Sequence, residues 1–277
     1  MARTTIDKWD PDFLETSPIF NSIRDVALPF TQYKQWPTLE QFAAEFSERS
    51  IKSFNDQNIQ AVAQGYTPEK FDDLYESRIY LKGELQTRLE NWHDFFNAMC
   101  WLQFPKTKST LNKLHFDTSL QRKEGSNRSP LENAIALFDE CGAIIVADDE
   151  KYLELIRSHQ WKEIFYDKKE SWGTKNSKPG IQCYVFGHAM HEKALTPYIG
   201  MTTHNILLVK EKDFFEKDYK EQLSELDNQI YDIWLNKKIK KTKDLQPVPL
   251  LGIPNWYSSQ DENFYNNRDY FRPGRNK

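Results

Sequence analysis

Residues 89–104 read Leu-Glu-Asn-Trp-His-Asp-Phe-Phe-Asn-Ala-Met-Cys-Trp-Leu-Gln-Phe. From Phe95 to Leu102 the run is apolar nearly all round, broken only by Asn97. A helix apolar on every side is a buried helix, so this segment predicts the centre of a helix-rich core. Pro105 ends it or begins the next helix, which carries Leu111 and Leu114 and ends near Leu120. Upstream, Ser17-Pro18 predicts a helix start reaching about Ala27, and Thr38-Leu39-Glu40-Gln41 fits a capping box opening a helix to about Lys52. Residues 53–70 are polar and read as a loop. Ile79, Tyr80, Leu81 and Leu85 around Lys82-Gly83 suggest a short hairpin within 75–87.

Downstream the pattern becomes regular. After a polar loop from Gln121 to Arg128, Ser129-Pro130-Leu131-Glu132 opens a helix reaching about Glu140. Gly142 leads into a strand over 143–147, and Asp148-Asp149 caps a helix to about His159, with more helix through Phe165. Beyond a loop at 168–180, strands are expected at 181–186 and 204–209. They are separated by a short helix from His188 to Leu195 and followed by one long charged helix over 213–238. This alternation predicts a small, mainly parallel β-α-β-α-β sheet. The expected fold is mixed α/β and helix-rich, one domain over 1–277. It has a mostly helical portion (1–140), an α/β portion (141–245) and an aromatic tail (246–277) wrapping over the body.

Composition agrees with a core built on rings. Of 277 residues, 18 are Phe, 13 Tyr and 8 Trp, beside a mean hydropathy of −0.76 and 28% charged residues. Collagen, low-complexity disorder and a disulfide scaffold are excluded. The formal charge is −4. The halves are alike, with 16 basic and 19 acidic residues in 1–138 and 21 and 22 in 139–277, which counts against a nucleic-acid partner. Only Lys237, Lys238, Lys240, Lys241 and Lys243 form a basic run. Cys100, Cys141 and Cys183 are widely spaced without a CxxC, so free thiols in the cytoplasm are expected. Met1 to Pro11 lacks the apolar region of a signal peptide, and apolar stretches of about five residues fall far short of the ~20 that span a bilayer.

The familiar chemistry-bearing motifs are absent: no GxGxxG after a strand, no GxxxxGK[ST], no GxSxG and no HExxH. Polar residues in apolar places remain. The first cluster is Asn91, His93, Asp94 and Asn97. Left unpaired in a core, such groups cost roughly 1–3 kcal/mol each, so they require partners in a hydrogen-bond network or a wet site. The second is Asp139-Glu140, a negative pair at a helix C-terminus, where the dipole disfavours it. A carboxylate neighbour raises the Cys141 thiol and argues against a thiol nucleophile. The third is His188 with Glu192, which share a helical face after a strand and Gly187. His188 and His191 nearly do. Such a pair could hold a metal or work as acid and base.

The stretches Thr87-Arg88, Asn91 to Ala98, Trp101, Phe104-Pro105 and Lys108 resemble a bacterial family known as domain of unknown function 3025. So do Glu132-Asn133-Ala134 with Leu137 to Glu140 and Gly142, and Gly187-His188-Ala189 with Glu192 and Pro197-Tyr198. Gly252 to Trp256 and Phe271-Arg272-Pro273 fit too. The likeness runs from about residue 75 to the C-terminus. It implies a bacterial, cytoplasmic protein and supplies no reaction. Cys141 stands where the family pattern leads one to expect a small residue such as Ser.

Three expectations follow. One is a hydrolase or transferase for a small anionic molecule. Its site gathers His93, Asp94, Asn97, Asp139, Glu140, His188 and Glu192, with Arg88 or Lys108 on the anion. A divalent metal is compatible with these residues, but no specific motif names one. The alternative is a non-catalytic module that holds a partner protein or nucleic acid through exposed tail aromatics and the lysine run. In the third, the polar clusters only lock the core.

Overall fold

A computed structural model describes residues 8–65, 67–122, 125–173 and 179–274. Outside it lie 1–7 of the polar N-terminus, 66, 123–124 and 174–178 of the expected loops, and 275–277 of the tail.

The chain opens with short turns of helix, Phe13–Glu15 and Pro18–Ile23, then α1 (Arg24–Ala27) and α2 (Leu39–Glu48). The helix expected from Ser17 to Ala27 is therefore two pieces, and α2 stops short of Lys52. The polar stretch read as a loop contains β1 (Gln60–Ala63). The expected hairpin is instead α3 (Tyr75–Lys82) followed by β2 (Glu84–Thr87), which pairs with β1 in parallel, Gln60 opposite Glu84. Lys82-Gly83 was read as a hairpin turn, but it is a helix end. Gly83 takes φ +70, and a Cβ there would sit 2.1 Å from the Asn58 carbonyl oxygen.

The buried helix is α4 (Trp92–Gln103), capped by the Asn91 side chain, which accepts from the Asp94 backbone N–H at 3.0 Å. It is followed by α5 (Pro105–Gln121) and α6 (Pro130–Cys141). The first turn of α5 has no cap of its own. The Asp227 carboxylate accepts from the backbone N–H groups of Lys106 and Thr107, at 3.0 and 2.8 Å. The α6 capping box of Ser129 and Glu132 forms as read.

Next come β3 (Gly142–Ala147), α7 (Glu150–Arg157), β4 (Ile181–Val185), α8 (His188–Ala194) and β5 (Thr202–Val209). The chain closes with α9 (Lys212–Glu216), α10 (Tyr219–Leu235), β6 (Gln246–Pro249) and α11 (Glu262–Tyr265). The expected helix over 213–238 is broken because Asp218 starts a fresh capping box with Glu221.

The class is mixed α/β and helix-rich, but the sheet is not mainly parallel. Its order is β4-β3-β5-β6. Only β3 and β5 are parallel, and β4 and β6 run antiparallel to their neighbours. The reason is visible where β3 ends. Asp148 N–H donates to Gly180 O at 2.8 Å, so the connection after β3 returns to the end it left. Strand β4 therefore runs back alongside β3. Its far end delivers Phe186 and Gly187 to the start of β3, both bonding Gly142 O, at 3.0 and 2.8 Å.

Alternate β3 side chains feed two cores. Ala143, Ile145 and Ala147 face α4, the N-terminal turns and the tail. Ile144 and Val146 face α5, α6 and α10. Rings of the N-terminal segment pack directly on α4: Trp9 on Trp92 at 5.0 Å, Phe13 on Phe96 at 5.6 Å and Phe30 on Phe95 at 5.6 Å between centroids. Among the described residues, no helix is long and apolar enough to cross a membrane.

Candidate active site

Three chain segments far apart in sequence meet at one point: the start of α4, the end of α6 and the start of α8. The antiparallel return of β4 is what brings the last two together.

Asp94 is gripped by Arg88. The guanidinium donates through Nε and Nη2 at 2.9 and 2.8 Å, and the Arg88 backbone N–H adds a third bond at 2.8 Å. Burial pushes the Asp94 carboxyl up, but Arg88 and His93 outweigh it and hold the group well below the usual range. His93 turns Nδ1 to Asp94 Oδ1 at 3.2 Å and Nε2 to Glu140 Oε2 at 3.7 Å. The two carboxylates push its pKa up to about 9. His188 presents Nε2 to the same Glu140 oxygen at 3.5 Å and Nδ1 to Asp139 Oδ2 at 3.7 Å. Its imidazole is buried, which pushes its pKa down to about 4, and Nδ1 makes no hydrogen bond. The two rings stand at 90°, 4.6 Å apart.

Beneath them lies a second tier. Lys108, 4% exposed, donates from Nζ to Asn97 Oδ1 at 2.8 Å and to Asp139 Oδ1 at 2.6 Å. The Asn97 amide donates in turn to the Tyr75 hydroxyl at 2.7 Å. Burial raises the Asp139 carboxyl, but the charges of Lys108 and His188 bring it below its ordinary value. Lys108 and His93 thus answer the unfavourable negative pair at the α6 C-terminus.

A cavity of about 360 Å³ opens over this cluster, lined by Arg88, His93, Asp94, Asn97, Asp139, Glu140 and His188 together with Gln64, Tyr75, Glu76 and Gln86. A neighbouring cleft of about 310 Å³ shares Tyr75, Glu76, Asp139 and Glu140 and adds His115, Arg122 and Arg128. Of the nine residues singled out from the sequence, seven line the first cavity, and Lys108 lies just beneath it. Glu192 stands half-buried to one side, its charge felt by Arg88 and His93. His191 turns the other way, into the core, between Phe20 and Phe96. Arg88 and Lys108 both have carboxylate partners.

Gln64, Tyr75, Glu76 and Gln86 escaped the sequence reading because the segment around them reads as loop and hairpin. No local pattern marks them; Gln64 and Gln86 arrive through the β1–β2 pairing, Tyr75 and Glu76 on the first turn of α3. Burial raises the Cys141 thiol, which counts against its use as a nucleophile.

The cluster depends on close backbone approach. A Cβ on Gly187 would lie 2.5 Å from Glu140 O and 2.6 Å from the Cys141 and Gly142 nitrogens. The backbone has no room to yield there, so Gly187→Ala is expected to cost about 1–3 kcal/mol by overpacking. It should also push His188 away from Glu140. Chemical denaturation checks the first effect, and an imidazole NMR shift for His188 checks the second. An unshifted His188 resonance would contradict this account.

No curated protein and no solved structure matches the chain. Residues 59–275 match the family described as "Protein of unknown function (DUF3025)". That span holds every residue of the cluster and most of both cores, so the chain belongs to this family of unknown function.

Proposed function

We propose that the protein is a hydrolase of small anionic molecules, or a transferase in which an acceptor replaces water, working at the His93–Glu140–His188 cluster. One observation carries the reading: two imidazoles, each with its Nδ1 turned toward an aspartate, aim their Nε2 atoms at a single glutamate oxygen. Unlike His191, whose buried ring lies between Phe20 and Phe96, His188 and His93 present their Nε2 atoms to a cavity.

A water seated between these groups is polarised by all three. Its oxygen attacks a carbonyl or phosphoryl centre, the cluster takes its proton, and the leaving group departs with a proton. Arg88 and Lys108 are spent on carboxylates. Recognition of the substrate's charge therefore falls to His115 and Arg128 of the adjoining cleft. The free cysteines support a reducing, cytoplasmic setting in a bacterium.

The tail offers the rival binding module little. Tyr265, Tyr270 and Phe271 are buried, and Trp256, Tyr257 and Phe264 pack against them.

The test is a screen of phosphoesters, carboxylic esters and amides with the wild type and Glu140→Gln. The Glu140 side chain is 47% exposed, so the variant should fold normally. Turnover in the wild type and a fall of roughly 10²–10⁴-fold in kcat in the variant are expected. Equal turnover by the two would refute the assignment.

A further inference from the structure

We infer that His93 Nε2, His188 Nε2 and a Glu140 oxygen form a zinc site, and that the zinc occupies the point assigned above to the activated water and holds that water itself. This rests on the functional reading for its purpose but not for its geometry.

Three observations carry it. The first is spacing. A tetrahedral zinc with ligands about 2.0–2.1 Å away holds them roughly 3.3–3.4 Å apart. The two imidazole nitrogens lie 3.7 and 3.5 Å from the same Glu140 oxygen, and the three ligand atoms fall within 4.8 Å of one another. Small side-chain rotations close that gap.

The second is the support behind the ligands. A metal-bound histidine typically gives its remaining ring N–H to a carboxylate, which fixes tautomer and orientation. Asp94 already bonds His93 Nδ1 at 3.2 Å, and Asp139 faces His188 Nδ1 from 3.7 Å, a gap that a small turn of the ring onto a metal closes. Each aspartate is in turn tied to a cation, Arg88 or Lys108. Acid-base work alone does not call for the same arrangement on two histidines.

The third is the unfilled demand of the site. His188 lines the cavity with its side chain 5% exposed and a ring nitrogen that finds no hydrogen-bond partner. The cavity wall also carries four carboxylates, Glu76, Asp94, Asp139 and Glu140, against the guanidinium of Arg88 in the wall and the Lys108 ammonium beneath it. A divalent cation brings that balance to neutrality. Two nitrogens and one carboxylate oxygen suit zinc, and three protein ligands leave a fourth position for water. Zinc-bound water ionises near neutral pH, so the histidines and Glu140 act as ligands while the proton leaves to solvent.

The test measures binding of zinc alone to chelator-stripped full-length protein, by competition with a chromophoric chelator. One equivalent should bind. His188→Gln and Glu140→Gln should each weaken binding by more than 100-fold. Asp94→Asn, which removes support rather than a ligand, should weaken it about 10–100-fold. Cobalt in place of zinc should give the intense visible band of a tetrahedral site, lost in Glu140→Gln.

Failure to bind zinc, or binding unchanged in both ligand variants, overturns the inference. If His188→Gln does not fold, the half-exposed Glu140→Gln and the cobalt band decide. Tight zinc binding without turnover of any substrate would keep the metal site and sink the hydrolase. Turnover by stripped protein that binds no zinc would do the reverse.

Discussion

A chain that begins at residue 59, where the family match starts, is expected not to fold into a stable monomer. The first 58 residues lie outside that match, yet their rings cover α4. Trp9 stacks on Trp92 at 5.0 Å, and Phe13 and Trp36 meet its ring edge-on at 5.2 and 4.8 Å between centroids. Phe30 and Phe42 close over Phe95, and Phe20 lies on Phe96. Truncation would return Trp92, Phe95 and Phe96 to water. At about 1.5–3 kcal/mol for each large apolar side chain, these three alone lose roughly 5–9 kcal/mol. Domains hold only about 5–15 kcal/mol in total. The truncated chain should aggregate or bind hydrophobic dyes without a cooperative transition, and a melting curve like that of the full chain would show this reasoning wrong.

The second large effect is expected at Lys108. Lys108→Met keeps the length of the stem and its place near Trp101, over whose ring the ammonium sits at 5.7 Å. It strips the charge from Asp139 and the donor from Asn97. Breaking a buried ion pair from one side costs about 3–5 kcal/mol, because the surviving charge stays buried without its partner. The loss should be read by denaturant unfolding. Removing the second charge as well, in Lys108→Met with Asp139→Asn, should return a good part of it. If the double variant is as unstable as the single one, the pair is not what Lys108 contributes.

Much of this site was legible in the sequence, and the reason is local. A His, an Asp and an Asn on a helix otherwise fit for burial cannot sit there without partners, so residues 93, 94 and 97 declare themselves. Asp139 and Glu140 do so by lying at the wrong end of a helix dipole. The partners themselves were not legible. Nothing near Glu140 says that His188 will face it, because that contact follows from β4 running back along β3. The strand patterns of residues 143–147 and 181–186 read the same in either direction. The Tyr75–Lys82 helix was lost for a different reason: Lys82-Gly83 serves equally as a hairpin turn and as a helix end. The tail was legible because so many rings in residues 246–277 must be covered by something.

The bonds from Asp227 to the first turn of α5 bear on the order in which the molecule assembles. They join residues 120 and 121 positions apart, and Lys108 sits one residue beyond the turn they secure. On the ribosome the N-terminal part emerges first, so α5 spends the synthesis of more than a hundred residues with its leading N–H groups held only by water. Until α10 has emerged and docked, the turn that leads into Lys108 lacks these two bonds. The first turn of α5 is thus among the last to be secured, and long sequence separation of this kind slows folding. The helix that carries Lys108 is therefore completed by a carboxylate made more than a hundred residues after it.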